Sequence, residues 1–225
     1  EPIKITMSFV DVDLHIHSKY SVDSILEVKD IVKIALRRGL SIISITDHNT
    51  LAGSLLAIKE YSNLLHQLPI IIVPGVEIST NFGDIIALFI EEEIKSRNLE
   101  DVVDNVKKQD GLIVLPHPFR KHKNLQTILC YTDLVEIMNG RSSLKENINA
   151  ANLAKLTGIP FSVGSDAHLP TELGRVRLRI YGDIPSDIEE VRKLLFTDLK
   201  ECIGRPFPIP LILRLTSSLI TLIRK

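Results

Sequence analysis

Hydrophobic and polar residues alternate along the segment FVDVDLHIH, which begins at Phe9. Because successive side chains of a β-strand point to opposite faces, this alternation predicts a strand. One face would carry aliphatic residues, and the other would carry two carboxylates and two imidazoles, from Asp11, Asp13, His15 and His17. Four titratable groups on one strand face require a chemical explanation, since charged groups are rarely buried without partners.

The same pattern along the rest of the chain predicts short strands separated by amphipathic helices. The predicted strands are FVDVDLHIH, SIISITDH, IIIVPGVEIS, DIIALFI, GLIVLPHP, LVEIMN, PFSVGSDAH and RVRLRIY. The predicted helices are SILEVKDIVKIALRRG, AGSLLAIKEYSNLLHQL, NLEDVVDNVKKQDG and SSLKENINAANLAKLTG. This alternation favours βαβ units around a parallel sheet. The polar residues that end the strands would then converge on one rim, where β/α barrels carry their active sites.

The composition sets limits on the class of protein. A chain of 225 residues, 44% hydrophobic and with a formal net charge of -1, fits one globular α/β domain and provides no overall field for nucleic acid or an anionic membrane. Cys130 and Cys202 lie far apart and outside any CxxC motif, which indicates a reducing compartment. The N-terminal residues lack a signal-peptide pattern, so a cytoplasmic location is expected.

Five of the seven histidines lie at the C-terminal ends of predicted strands. A single histidine at such a place is more often a satisfied core residue. Several imidazoles facing one another without a cation would leave buried lone pairs unsatisfied, which is costly. Zn, Mn and Fe bind imidazole and carboxylate together, so the pattern indicates a divalent metal site. The histidines are His15, His17, His48, His117 and His168, accompanied by Asp13, Asp23, Asp47, Glu77 and Asp166.

Five motifs occur in a fixed order between residues 13 and 168: DLHIHS, TDHNT, GVEIS, PHP and GSDAH, followed by ELGRVR. With these motifs the chain resembles the polymerase and histidinol phosphatase (PHP) superfamily, in its stand-alone metal-dependent phosphoesterase branch. The resemblance implies a distorted (β/α) barrel of about seven strands with the metal site at the C-terminal ends of the strands. It also implies two or three divalent ions, of Zn, Mn or Fe.

The resemblance further implies a role for each motif residue. Asp13 and Asp47 would orient the metal ligands from behind them. This chain lacks a further histidine that some members use, so Asn139, solvent or the substrate would complete the second site. The ligand sets would be His15, His17, Glu77 and Asp166 for one metal, Glu77 and His117 for a second, and Asp23, His48 and His168 for a third.

Two neighbouring cations would hold a bridging hydroxide and stabilise both oxygens of an in-line displacement. The expected function is therefore that of a metal-dependent phosphoesterase, hydrolysing a phosphate monoester or a nucleotide phosphate. Asp166 and His168 are the catalytic candidates. Guanidinium groups pair well with phosphate oxygens, which makes Arg120, Arg141 and Arg175 candidates for substrate binding.

Other functions stay open at this point. A PHP-type barrel can act as a non-catalytic scaffold in a nucleic-acid-processing complex, which predicts lost metal ligands and a basic surface. A histidinol phosphatase, or another hydrolase that cleaves amides or esters, would use the same cluster. The expected partners are a small phosphorylated substrate or nucleotide, a short oligonucleotide, or a second copy of the chain. Phe119 and Tyr20 are candidates for stacking a base.

The end of the chain carries a separate pattern. Residues 1–208 are expected to form the PHP-type barrel, and residues 209–225 an amphipathic helix packed on the barrel or on a partner subunit. The segment PIPLILRLTSSLITLIRK has an apolar stripe with polar residues mostly on the other side. It is shorter than the roughly 20 apolar residues that a transmembrane helix requires.

Overall fold

The computed structural model describes residues 8–61, 70–206 and 210–224. Its strands are β1 Phe9–Ile16, β2 Leu40–Ile45, β3 Ile71–Ser79, β4 Asp84–Leu88, β5 Leu112–Leu115, β6 Leu134–Asn139, β7 Phe161–Gly164, β8 Val176–Tyr181 and β9 Lys200–Gly204. Its helices are α1 Val28–Arg37, α2 Ala52–Tyr61, α3 Leu99–Lys108, α4 Leu125–Leu129, α5 Leu144–Thr157, α6 Ile188–Leu194 and α7 Pro210–Ile223.

All nine strands belong to one sheet, in the order β7-β6-β5-β4-β3-β2-β1-β8-β9. Strands β1, β2 and β3 are parallel, and so are β5, β6 and β7, whereas β4 is antiparallel to both of its neighbours. The segment after β7 returns to the end of β1, where the backbone N–H of His17 donates to the carbonyl of Ala167 at 2.9 Å. The sheet is therefore a nearly closed barrel.

The predicted α/β barrel is confirmed, but its strand count and its all-parallel sheet were wrong. The described residues form nine strands rather than about seven, because β8 and β9 extend the sheet beyond β1 as antiparallel strands. The sheet is mixed because β3 and β4 are joined only by residues 80–83, which form a turn too short for the crossover that parallel strands require. Strand β9 and helices α4 and α6 were not predicted.

Local sequence signals explain several helix ends. The side chain of Asn98 accepts from the backbone N–H groups of Glu100 and Asp101 at the start of α3. Ser143 and Glu146 form a reciprocal capping box at the start of α5, and Gly158 ends that helix with φ 70°. Three of the four predicted helices begin within two residues of the expected start, whereas α1 begins at Val28, four residues after the predicted start at Ser24. Residues 62–68 of the second predicted helix lie outside the described residues.

Three clusters of buried aliphatic side chains hold the barrel rigid. One joins eight of the sheet's strands, β1 to β8, with helix α6, and includes Val12, Ile42 and Val163. A second packs α1 and α2 against β1, β2 and β3, and a third packs α3 and α4 against β3, β4 and β5. Because each fully buried aliphatic side chain contributes roughly 1.5–3 kcal/mol, these clusters fix the strand ends that carry the polar rim.

Helix α7 presents most of its apolar side chains to solvent. The barrel does not bury the apolar stripe, although Leu213 and Ser217 are buried. Packing of this stripe on a partner subunit stays a prediction, and the side chains of Leu211 and Arg214 lie outside the described part of the chain. The exposed fraction lies between 52% and 75% for five residues of the stripe, namely Ile212, Leu215, Leu219, Leu222 and Ile223.

Among the helices of the described residues, none combines the length and the apolarity needed to cross a bilayer.

Candidate metal centre

Imidazoles and carboxylates from most of the barrel strands meet at one rim. His15, Glu77 and Asp84 lie in β1, β3 and β4, and the others lie in the segments that follow strands. Every one of these side chains is buried or half-buried. The structure brings together all eight predicted ligands, and Asp84 joins them: His15, His17, Asp23, His48, Glu77, Asp84, His117, Asp166 and His168.

The imidazoles of His15 and His17 face each other, with their Nε2 atoms 3.1 Å apart. Nδ1 of His15 lies 2.9 Å from Oε1 of Glu136, and this carboxylate accepts a hydrogen bond from the imidazole N–H. Nδ1 of His17 lies 3.2 Å from Oγ of Ser21, whose own hydroxyl proton is donated to Asp47. With both Nδ1 atoms as donors, the facing Nε2 atoms repel each other unless a proton or a metal ion lies between them. A cation between them relieves this repulsion, so the residues fit a metal.

Glu77 is the carboxylate at the centre of the cluster. Its Oε1 lies 2.9 Å from Nε2 of His117, and its Oε2 lies 2.9 Å from Nδ1 of His48 and 3.4 Å from Nε2 of His17. Burial by itself raises the pKa of Glu77, but the charges of His48 and His15 outweigh it and hold the pKa well below its ordinary value. Glu77 therefore stays ionised and contacts imidazoles on two sides, as a bridging ligand does.

A second part of the cluster lies around Asp23. Its Oδ2 is 3.1 Å from Nε2 of His168 and 3.5 Å from Nε2 of His48. Its Oδ1 is buried and has no hydrogen-bond partner among the described residues, and the same holds for Nδ1 of His117. Unpartnered buried polar atoms are costly, so these two atoms also fit a site that binds a cation or water.

Four overlapping triads have ligand atoms within 4.8 Å of one another. Shared members such as Glu77 and His17 show that the triads form one continuous cluster rather than separate sites. The triads are His17, His48 and His168; His15, His17 and Glu77; His15, His117 and Asp166; and Glu77, Asp84 and His117.

The two acids expected to orient ligands make different contacts. Asp47 accepts from Ser18 and Ser21, so it acts on His17 through the hydroxyl of Ser21. Asp13 accepts from the backbone N–H groups of Ser165 and Gly174, each at 2.9 Å. It therefore anchors the segment that follows β7 rather than an imidazole. Burial raises the pKa of Asp13 to about 6.

Three acids at the rim were missed by sequence reasoning. Glu136 accepts from His15 and from the backbone N–H of His117, and no motif pointed to it inside the apolar strand LVEIMN. Glu172 accepts from the backbone N–H of His168 at 2.7 Å. Asp84 is the first residue of β4, and it reaches the rim because β4 runs opposite to β3. The mixed sheet was not predicted, so the position of Asp84 could not be.

Asn139, expected to complete the second site, is occupied elsewhere. Its Nδ2 donates to Glu136 at 2.9 Å, and its Oδ1 accepts from the backbone N–H of Arg141 at 2.9 Å. Asp84, rather than Asn139, lies with Glu77 and His117.

Two cluster residues have backbone conformations that non-glycine residues rarely adopt. His117 has φ 29° and Asp166 has φ 54°. Such conformations cost about 1–3 kcal/mol each and persist only where the surrounding structure imposes them. They aim both side chains into the cluster.

The three predicted phosphate-binding arginines occupy different environments. Arg120 lies at the cluster, with Nη1 2.7 Å from Oδ2 of Asp166. Arg141 is buried and donates to Glu172 and to the hydroxyl of Ser217. Arg175 is exposed and donates to the carbonyl of Arg205, and it does not line the cavity at the cluster.

A cavity of about 390 Å³ opens onto the cluster. Its size lies within the roughly 300–1,000 Å³ typical of small-molecule sites. Phe119 contributes to its wall, whereas Tyr20 does not. The full lining is Asp23, His48, Glu77, Asp84, His117, Phe119, Arg120, Lys121, Arg141, Glu146, Asp166, His168, Ser217, Ser218 and Thr221.

A barrel with a cluster of imidazoles and carboxylates at one rim is typical of metal-dependent hydrolases, and comparison of the sequence with known families identifies which family this is. Residues 13–136 match the model of the PHP domain, and residues 145–195 match that of the PHP-associated region. The chain belongs to the PHP family. Uncharacterized protein MJ0417 of Methanocaldococcus jannaschii is 32% identical over 180 residues, which are 75% of this chain and 69% of the relative.

Solved structures share the fold. A two-domain protein from Bacteroides vulgatus, containing a predicted PHP-like metal-dependent phosphoesterase, superposes with a TM-score of 0.73 at 20% identity, over 91% of this chain and 67% of that one. Endonuclease Q, solved in complex with a 27-mer duplex with an abasic lesion at the active site, gives a TM-score of 0.63 at 20% identity, over 88% of this chain and 60% of that one. At these identities the likeness concerns the fold.

Proposed function

We propose that this protein is a metal-dependent phosphoesterase that hydrolyses a phosphate monoester or a nucleotide phosphate at the rim cluster. The observation that carries the proposal is the pair of facing Nε2 atoms of His15 and His17, 3.1 Å apart beside Glu77. No neutral arrangement of these groups is favourable without a cation, and the cluster opens directly onto a cavity.

The proposed ligand sets follow the contacts. A divalent metal bound here supplies charge neutralisation of the phosphate and activation of water at neutral pH. His15 and His17 are held in the ligating tautomer by Glu136 and Ser21. We assign His15, His17, Glu77 and Asp166 to one ion, Glu77, Asp84 and His117 to a second, and Asp23, His48 and His168 to a third.

The cations at the cavity account for binding of a phosphate. Arg120 and Lys121 line it, and the guanidinium of Arg120 is held in place by Asp166. Arg141 contacts Glu172, which in turn accepts from the backbone of His168, so we assign Arg141 a positioning role. Arg175, exposed and away from the cavity lining, has no place in this proposal.

We propose that His168 transfers a proton to the leaving group when the third site holds no ion, because its Nε2 can then carry a proton instead of ligating a metal. Its Nδ1 lies 2.8 Å from the carbonyl of Asp166 and donates to it, which leaves Nε2 directed toward Asp23 at the cavity. Asp166 contacts both Arg120 and His17. It therefore connects the guanidinium proposed to bind the phosphate with one of the proposed metal ligands.

The scaffold alternative predicts eroded ligands, yet every ligand position expected at the rim carries an imidazole or a carboxylate. This favours an enzyme. Phe119 in the cavity wall favours a substrate with a flat ring, such as a nucleotide. Histidinol phosphate and the esters of other small molecules use the same contacts, so the experiment below includes them.

The test is phosphate release by protein loaded with Mn²⁺ or Zn²⁺, over sugar phosphates, nucleotides and histidinol phosphate. We expect turnover of at least one of these compounds, and Glu77→Gln should lower it by roughly 100-fold or more because a central ligand loses its charge. Asp133→Asn is the matched control, since Asp133 accepts from the backbone of Ile113 at the other end of the barrel. An inactive metal-loaded protein, or full activity in Glu77→Gln, would contradict the proposal.

A further inference from the structure

Helix α7 forms part of the wall of the metal-site cavity. Ser217, Ser218 and Thr221 line it, and these residues lie beyond both family-matched segments, which end at residue 195. The remaining lining residues come from the barrel and its loops. One side of the cavity is therefore built by a segment that the family models do not cover.

The helix is fastened at its C-terminal end. The guanidinium of Arg224 donates to the backbone carbonyls of Ser21 and Ser24, at 3.0 and 2.6 Å, and to that of Lys19 at 2.7 Å. These carbonyls belong to the loop that carries Asp23. Three hydrogen bonds from one charged group fix both position and direction, because the guanidinium is planar and rigid.

A second attachment lies two turns earlier. The hydroxyl of Ser217 accepts from Nη1 of Arg141 at 2.7 Å and donates to the carbonyl of Asp23 at 3.3 Å. Positions 217 and 224 differ by seven residues, so they lie on nearly the same side of the helix. That polar side faces the barrel mouth, which explains why the apolar stripe of α7 points outward.

We propose that α7, held by Arg224, restricts this site to small phosphate monoesters and excludes the terminal phosphates of polynucleotides. The inference rests on the proposed function, and it deepens that function by naming the substrate class. A cavity of about 390 Å³ lies near the lower end of the small-molecule range. A polynucleotide whose terminal phosphate is bound at the cluster must extend its remaining nucleotides out of the cavity. A helix fixed along one side of the cavity leaves less space for that chain.

The experiment compares a nucleoside 5′-monophosphate with a 5′-phosphorylated single-stranded 10-mer on the Mn²⁺-loaded protein of residues 1–225. Two ratios are measured for the pair of probes, one of kcat/KM values and one of Kd values. The Kd ratio requires no turnover, so absence of hydrolysis would refute the proposed function while the Kd ratio still decides the present inference.

We expect the wild-type protein to favour the mononucleotide, and Arg224→Ala to reduce that preference by about tenfold or more, mainly through tighter binding of the 10-mer. Arg224→Lys keeps the charge and should retain most of the preference. Arg37→Ala is the control, since it removes the same charge from an exposed position on α1. Thermal unfolding of each variant verifies that the barrel is intact.

A second variant, at Ser218, narrows the cavity, whereas Arg224→Ala is expected to widen its opening. Ser218→Trp narrows the cavity from the α7 side, so it should weaken binding of the mononucleotide about tenfold or more and leave binding of inorganic phosphate nearly unchanged. Equal affinity of the wild-type protein for both probes, or an unchanged Kd ratio in Arg224→Ala, would overturn the inference. So would equal weakening of phosphate and mononucleotide binding in Ser218→Trp.

Discussion

The contacts of Glu136 lead to a prediction about the tautomer of a metal ligand. Its carboxylate is buried and accepts from Nδ1 of His15 at 2.9 Å, from the backbone N–H of His117 at 2.8 Å and from Nδ2 of Asn139 at 2.9 Å. Glu136→Gln preserves shape and replaces one oxygen by an NH₂ group. The amide has two orientations, and each has a distinct cost.

In one orientation the amide oxygen faces His15, and the NH₂ group opposes the two donors from His117 and Asn139. Leaving two buried donors unsatisfied costs about 1–3 kcal/mol each. In the other orientation the oxygen accepts from those two donors, and the NH₂ group donates to Nδ1 of His15. The proton of His15 then moves to Nε2, which removes the lone pair that faces His17. The second orientation is the less costly one for folding.

We therefore expect Glu136→Gln to fold with a loss of stability below about 2 kcal/mol and to bind metal about 10–100-fold more weakly. The assay titrates chelator-treated protein with Zn²⁺ against a chromophoric chelator, and long-range ¹H–¹⁵N correlation spectra report the tautomer of His15. Asp133→Asn again serves as the control. Wild-type affinity together with an Nδ1–H tautomer in Glu136→Gln would refute this reasoning.

Three further predictions concern stability and metal binding. Gly164→Ala places a Cβ atom 2.3 Å from Cβ of His15, so we expect a loss of about 1–3 kcal/mol in urea unfolding together with weaker metal binding. Asp11→Asn weakens the ion pairs with Arg179, at 2.8 and 2.9 Å, and with Arg177, at 2.7 Å. Because both arginines are partly exposed, we expect a stability loss of about 2 kcal/mol with metal affinity unchanged. In metal-free protein the raised pKa of Asp13, about 6 against an ordinary 3.8, means that the folded chain retains a proton which the unfolded chain releases between these pH values. The protonated Asp13 therefore contributes roughly 3 kcal/mol of stability below about pH 4, and this contribution is lost as pH rises through 6. The difference in unfolding free energy between wild type and Asp13→Asn, measured by urea titration at several pH values, should fall over the same pH range.

Much of the site could be predicted because its residue types are local signals. His15 and His17 alternate with buried aliphatic residues, so their shared face follows from strand geometry alone. The positions of polar residues at strand ends then indicated a common rim. The partners of Asp11 could not be predicted, since Arg177 and Arg179 lie on β8, whose pairing with β1 is antiparallel and distant in sequence.

The sequence by itself determined where most strands and helices lie and which ligand types end them, because side-chain periodicity and capping are properties of neighbouring residues. Only the tertiary structure decided that Glu136 holds His15 across 121 residues, that Asp84 joins the cluster, and that α7 forms a wall of the cavity. These contacts depend on strand order and on the direction of β4. Both are set by the packing of the whole barrel, which no local pattern encodes.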